Sequence, residues 1–259
     1  MTLKYPKKIE LTLGEVQVWQ FSLERPEAEL AELESLLSRD EIDRANRFFT
    51  SELRSRFIVA RGTLRRILAI WTGANARELS FHYGSWGKPR LSTKLDAHGD
   101  RQFNLSHSAD QAVVALSREA VGVDLEVANP RTNHRAIASQ ILSPQESETW
   151  AKLGKATLDV EIMRLWVSKE SFLKAVGLGI AEGLQSIDFP LPIATNESFS
   201  LNRIDGALQM HLDEEASCGR NSWLDPKSWR VDILESGPQR YLGLCCARSE
   251  KDIQCFALE

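Results

Sequence analysis

No run of about 18 apolar residues occurs anywhere in this chain. Its charged start, Met1-Thr2-Leu3-Lys4-Tyr5-Pro6-Lys7-Lys8, is not followed by an apolar stretch of signal-peptide length. The expectation is therefore a cytoplasmic protein that does not enter a membrane. Cysteine is scarce: Cys218, Cys245, Cys246 and Cys255 all lie in the last quarter, with no CxxC and no Cys/His spacing suited to zinc. They read as reduced thiols, mostly in the core. Excess positive charge is missing too. A formal net charge of -4 and a pI near 5.8 argue against a surface made for nucleic acid or anionic lipid, so any anion site must be a local basic patch. Internal repeats, low-complexity segments and long linkers are also absent.

What remains is ample for a globular protein. With 259 residues, 42% of them hydrophobic, the chain can build one large domain or two of ordinary size. Alternation between Ile9 and Leu23 predicts an opening strand, and Pro26 suits the first turn of a helix through Leu37. Ser38-Arg39-Asp40-Glu41 has the capping-box pattern and starts a second, short helix. A longer helix runs from Ser51 to Trp71 and stops at Gly73. Arg101–Leu105 and Gln111–Leu116 read as a hairpin whose connection is Ser106-His107-Ser108-Ala109-Asp110. A boundary near 117/118 divides the chain into subdomains 1–117 and 118–259. Beyond it come a strand from Val121 to Glu126, helices at Arg135–Leu142, from Ser143 to Leu153 and from Glu161 to Val176, then an antiparallel sheet within Ile187–Glu259. Its expected strands are Phe199–Ile204, Trp229–Leu234 and Tyr241–Cys246.

Several stretches carry chemistry. The helices before residue 72 hold Arg44, Arg47, Arg54, Arg56, Arg61, Arg65 and Arg66, a concentrated positive field in an acidic protein. Some of these stems must simply cover apolar surface, but Arg61, set among Phe57, Ile58, Val59, Ala60 and Gly62, is partly buried by its neighbours and needs an anion. Gly87-Lys88-Pro89 presents a lysine on a restrained turn, either solvated or aimed at a ligand. His107 between two serines either satisfies local hydrogen bonds or cradles a phosphate.

Val121-Gly122-Val123-Asp124-Leu125-Glu126 organises the rest. Strand periodicity turns Val121, Val123 and Leu125 one way and sets Asp124 and Glu126 on the other face, roughly 7 Å apart. The pair either faces water at a strand edge or, if buried, requires protons or a counter-charge; a divalent cation with oxygen ligands supplies the latter. Along Trp166-Val167-Ser168-Lys169-Glu170-Ser171-Phe172-Leu173-Lys174, Glu170 and Lys174 stand four residues apart on one helix face, as a surface ion pair or as half-buried functional groups. Three carboxylates surrounded by Lys88, His107, Lys169, Lys174 and helix arginines fit a metal-bound diphosphate.

In order and wording, Gly-Lys-Pro, Asn-Leu-Ser-His-Ser, Val-Gly-Val-Asp-Leu-Glu and Trp-Val-Ser-Lys-Glu-Ser-Phe-Leu-Lys resemble the 4'-phosphopantetheinyl transferases of the Sfp type. The resemblance covers about Arg44 to Gly183. It implies an α+β fold of two similar α/β halves related by a pseudo-twofold axis, in a monomer. It also implies transfer of the 4'-phosphopantetheine arm of coenzyme A to a serine of an apo acyl or peptidyl carrier protein, releasing adenosine 3',5'-bisphosphate. Carried over by motif, Asp124, Glu126 and Glu170 bind magnesium. Lys88, Ser106 and His107 hold coenzyme A phosphates, Lys169 and Lys174 flank the diphosphate, and Arg61 and Arg54 reach the 3'-phosphate. Glu170 is the general base and Lys174 neutralises charge on the transferred group. Two rivals remain on sequence grounds. Asp-x-Glu followed by Glu and Lys also occurs in metal-dependent nucleases, against which stand the acidity and the missing basic, aromatic groove. A non-catalytic module binding coenzyme A or a carrier predicts a damaged metal site, whereas all three carboxylates are present.

Overall fold

The computed structural model describes residues 2–3, 5–129, 131, 134–154, 158–179, 183–193, 203–204, 228–234, 236–247 and 252–258. In chain order the elements are β1 (Thr2–Leu3), β2 (Glu15–Ser22), α1 (Glu27–Glu34), α2 (Arg39–Ala45), α3 (Ser51–Thr72), β3 (Phe81–Tyr83), β4 (Pro89–Leu91), β5 (Gln102–Ser108), β6 (Gln111–Ser117) and β7 (Val121–Val127). There follow α4 (His134–Ile141), α5 (Pro144–Trp150), α6 (Leu158–Val176), β8 (Ile187–Asp188), β9 (Arg203–Ile204), β10 (Trp229–Leu234), β11 (Arg240–Ala247) and β12 (Asp252–Leu258). Among the described residues no helix is long and apolar enough to cross a membrane.

Local chemistry explains the helix limits. Thr50 Oγ1 accepts the Leu53 amide at the start of α3, and Gly73, at φ 74°, ends it in the left-handed conformation that a side chain resists. The capping box expected at Ser38 forms, and Ser143 makes a second one with Glu146.

Two sheets lie face to face between two long helices. The larger runs β1-β12-β2-β6-β5 and the smaller β10-β11-β7. Alternation along β2 sends Trp19 and Phe21 toward Ile58, Leu64 and Leu68 of α3, while Val16 and Val18 face the second sheet. There they meet Val121, Val123 and Leu125 of β7 and Leu242 and Leu244 of β11. On the far side, α6 packs so closely that a Cβ on Gly122 would lie 2.0 Å from the Ser171 carbonyl oxygen, and one on Gly243 2.4 Å from that of Val167. Glycine at both positions lets helix and sheet backbones touch.

Two expectations change. Ser106, His107 and Ser108 belong to β5 rather than to the connection, so the hairpin turns at Ala109-Asp110, with Ala109 at φ 53°. The last strand, β12, pairs in parallel with β2 and so joins the first sheet instead of extending an antiparallel C-terminal one. Cys245 and Cys246 are buried thiols, but Cys255 is exposed; Cys218 and most of the strand expected at Phe199–Ile204 lie outside the described residues.

Candidate active site

Burial of Val121, Val123 and Leu125 between the sheets forces Asp124 and Glu126 onto the face that meets α6. Helical periodicity brings Glu170 and Lys174 to the same place from the other side. Lys174 Nζ donates to Asp124 Oδ1 at 2.5 Å and to Ser106 Oγ at 3.1 Å. Ser106 Oγ also donates to Asp124 Oδ1 at 3.0 Å, and Ser108 Oγ to Glu126 Oε2 at 2.8 Å. A hydrogen bond from Trp166 reaches Glu126 as well.

The cluster is electrostatically tense. Burial, then the charges of Asp124 and Glu126, push Glu170 up to about 7 against the opposing pull of Lys174. Burial likewise raises Glu126, with Asp124 adding to it and Ser108, Lys174 and Trp166 resisting. His107 is lowered, first by its crowded surroundings and then by the positive charges of Lys174 and Arg44.

Asp124 Oδ2 and Glu170 Oε1 are buried without a hydrogen-bond partner. An orphaned buried carboxylate oxygen is costly, and two from different elements on one face could both be satisfied by a cation. Among the described residues the acids are not drawn together into a finished metal cage; Lys174 holds one Asp124 oxygen and Ser108 one Glu126 oxygen. The donor set, three carboxylates and no sulfur or imidazole, fits a hard divalent cation that keeps part of its water.

Two cavities flank the cluster. One of about 550 Å³ is lined by Glu126, Trp166, Met163 and Ile137, and one of about 230 Å³ by His107, Phe48, Phe57 and Arg56; Ser108 and Ala109 belong to both walls.

Other expected site residues stand elsewhere. Lys169, placed by motif beside the diphosphate, is fully buried: its Nζ donates to Glu146 Oε2 (2.6 Å) and to the carbonyls of Ile141 (2.5 Å) and Leu184 (2.8 Å). Next to Glu170 in sequence, it leaves α6 about 100° further round, on the face that meets Glu146, Ile141 and Leu184. Arg61 does have the anion its burial demands, but that anion is Glu41, whose Oε1 accepts from Arg61 Nη2 at 2.6 Å while Oε2 accepts from Arg65 at 2.5 Å. Burial alone would raise Glu41; the two guanidiniums prevail and hold it below the usual carboxylate range. Arg54 pairs with Glu34 and Asn46. Lys88 is buried, donating to the carbonyls of Val121 (3.0 Å) and Ala175 (2.8 Å), and so ties the start of β7 to the end of α6. Of the helix arginines, Arg44 acts on His107 through its field and Arg56 lines the smaller cavity.

The sequence reading sets Ser108 beside His107 in the motif Asn-Leu-Ser-His-Ser, but the contacts of Asn104 and Ser108 with β7 escape it. The signal was present: in a strand, Asn104, Ser106 and Ser108 share one face. The polar run from Ser106 to Asp110 concealed it by resembling a loop.

A family model described as the 4'-phosphopantetheinyl transferase superfamily matches residues 120–234, which include all three carboxylates and Lys174. The 4'-phosphopantetheinyl transferase HetI of Nostoc sp. is 37% identical over 190 residues, 73% of this chain and 79% of that protein. The 4'-phosphopantetheinyl transferase ffp of Bacillus subtilis is 26% identical over 249 residues, 94% of this chain and 99% of its own length. The 4'-phosphopantetheinyl transferase Sfp of Bacillus subtilis strain 168 is 25% identical over 178 residues, 68% of this chain and 77% of that protein.

Proposed function

The chain belongs to the 4'-phosphopantetheinyl transferase family, and on that premise we propose that it moves the 4'-phosphopantetheine group of coenzyme A onto a serine of an apo acyl or peptidyl carrier protein. The observation that carries the reading is the convergence of Asp124, Glu126, Glu170 and Lys174, with two buried carboxylate oxygens unpartnered, beside two cavities. The relatives named above are transferases, and neither the nuclease nor the binding-only alternative gains support.

In this reading Asp124, Glu126 and Glu170 hold magnesium. When bound, the metal supplies positive charge to the diphosphate of coenzyme A. The carrier serine oxygen forms a bond to the phosphorus that bears the pantetheine arm, the bond from that phosphorus to adenosine 3',5'-bisphosphate breaks, and the serine proton passes to Glu170. A carboxylate within reach of the attacking hydroxyl is the group type suited to accept that proton. Lys174, whose side chain is 28% exposed, can turn from Asp124 toward charge on the transferred group. Ser106 and His107, with Arg44 and Arg56 nearby, form the coenzyme A side. Arg54, Arg61, Lys88 and Lys169 leave the site, each engaged by protein groups.

Subdomains 1–117 and 118–259 related by a pseudo-twofold axis remain our reading of the architecture, with β12 added to the first half's sheet. Element order supports it: a strand, three helices, a small two-stranded sheet and a hairpin recur, and β2-β6-β5 matches β7-β11-β10. In both halves the capping-box glutamate of a short helix, Glu41 or Glu146, also pairs with a cation on the following long helix. We further propose a cytoplasmic monomer.

The test is the intact mass of an apo carrier protein after incubation with the protein, coenzyme A and magnesium, with and without a chelator. A metal-dependent gain of one phosphopantetheine group is expected, and Asp124→Ala should remove it. No gain across fatty-acid, polyketide and peptide carriers, despite coenzyme A binding, would overturn the proposal.

A further inference from the structure

In the smaller sheet β7 is an edge strand, hydrogen-bonded on one side to β11. Its other side faces β5, which is itself the edge of the larger sheet. Side chains, not carbonyls, close the gap. The amides of Val123, Leu125 and Val127 donate to Asn104 Oδ1 (2.9 Å), Ser106 Oγ (3.2 Å) and Ser108 Oγ (3.1 Å). The constant offset of 19 residues sets the two strands parallel and in register.

Each serine both accepts and donates through one hydroxyl, and Ser106 accepts from Lys174 as well. Ser106 accepts the Leu125 amide and donates to Asp124; Ser108 accepts the Val127 amide and donates to Glu126 Oε2. A hydroxyl whose lone pair and hydrogen are both committed has a fixed rotor and fixes in turn what it touches. Asp124 is held by Lys174 besides its serine, through a charged hydrogen bond, whereas Glu126 has only the neutral indole of Trp166 besides Ser108. Without Ser108 the longer Glu126 side chain would keep only its hydrogen bond from Trp166, which lines the same 550 Å³ cavity, and could turn toward that cavity.

We propose that Ser108 is a positioning residue of the metal centre: its hydroxyl, carried by the N-terminal half, spans to β7 and holds Glu126 in the orientation that faces Asp124 and Glu170. The inference rests on the magnesium reading of the three carboxylates. Removing such a supporting hydrogen bond typically weakens metal binding about 10- to 100-fold.

The experiment compares wild type, Ser108→Ala and Ser108→Thr as full-length chains. Mn²⁺ is titrated calorimetrically in the presence of coenzyme A, the magnesium concentration giving half-maximal transfer is measured, and urea denaturation monitors the fold. Ser108→Ala should raise the metal dissociation constant and the half-saturating magnesium concentration about 10- to 100-fold, with the rate at saturating magnesium nearly kept. Ser108→Thr, which retains the hydroxyl, should recover most of the affinity. A folded Ser108→Ala with wild-type metal affinity would overturn the inference. If the alanine variant does not fold, Ser108→Cys, similar in size but poor at both hydrogen bonds, must show the same loss. Wild-type protein that neither binds Mn²⁺ nor depends on magnesium would instead overturn the metal reading beneath it.

Discussion

Replacing Lys169 by methionine separates a structural lysine from a ligand-binding one. The ammonium is fully buried and makes three hydrogen bonds that join α5, α6 and the segment at Leu184. Burial lowers Lys169 and raises Glu146 even though they face each other, so the pair is strained relative to water. Breaking it is nevertheless costly, because Glu146 and two carbonyls would lose their donor in the interior. Loss of one partner of a buried pair costs about 3–5 kcal/mol, a large share of the about 5–15 kcal/mol that holds a domain folded. With a urea slope of about 2 kcal/mol per molar, a loss of about 4 kcal/mol lowers the midpoint by about 2 M. The assay is urea unfolding followed by circular dichroism. Glu146→Gln combined with Lys169→Met should lose less than the sum of the two single losses, since the orphaned charge is gone. A Lys169→Met protein as stable as wild type but weakened in coenzyme A binding would refute the argument and return Lys169 to the diphosphate.

Because Glu170 is raised from 4.5 to about 7 in the fold, the metal-free protein should be most favoured below pH 4.5, as far as this group is concerned, and lose roughly 3 kcal/mol as pH climbs through about 7. Glu170→Gln should flatten that part of a thermal-melting profile; an unchanged slope refutes the assignment. Gly122→Ala puts a methyl group 2.0 Å from the Ser171 carbonyl oxygen and should displace α6 from β7, costing about 3 kcal/mol or more and abolishing transfer. Wild-type melting and turnover in that variant would contradict the packing. Lys88→Ala should cost about 2 kcal/mol by stripping charged hydrogen bonds from Val121 and Ala175, measurable by urea unfolding. Unaltered stability with weaker coenzyme A binding would instead make Lys88 a ligand residue.

What the sequence determined by itself was everything that depends on local periodicity and short motifs. Alternation in Val121–Glu126 placed Asp124 and Glu126 on one face, the i, i+4 spacing set Glu170 and Lys174 on one helix face, and Ser38, Ser143 and Gly73 marked helix ends. The ordered motifs sufficed for the family. Partners far apart along the chain were decided only by tertiary structure. A buried cation must find an anion, but sequence could not say that Arg61 finds Glu41, 20 residues away, or that Lys169 finds Glu146, 23 residues away. Those pairings moved Arg61 and Lys169 out of the expected site. Sequence also could not reveal that β12 returns to the first sheet, or that Asn104, Ser106 and Ser108 serve as the partner strand of β7, because edge-to-edge meeting is a property of how two sheets pack. The metal-type carboxylates are legible along the chain, whereas the hydroxyls that aim them come from the other half of the molecule and are recognised only when the halves are brought together.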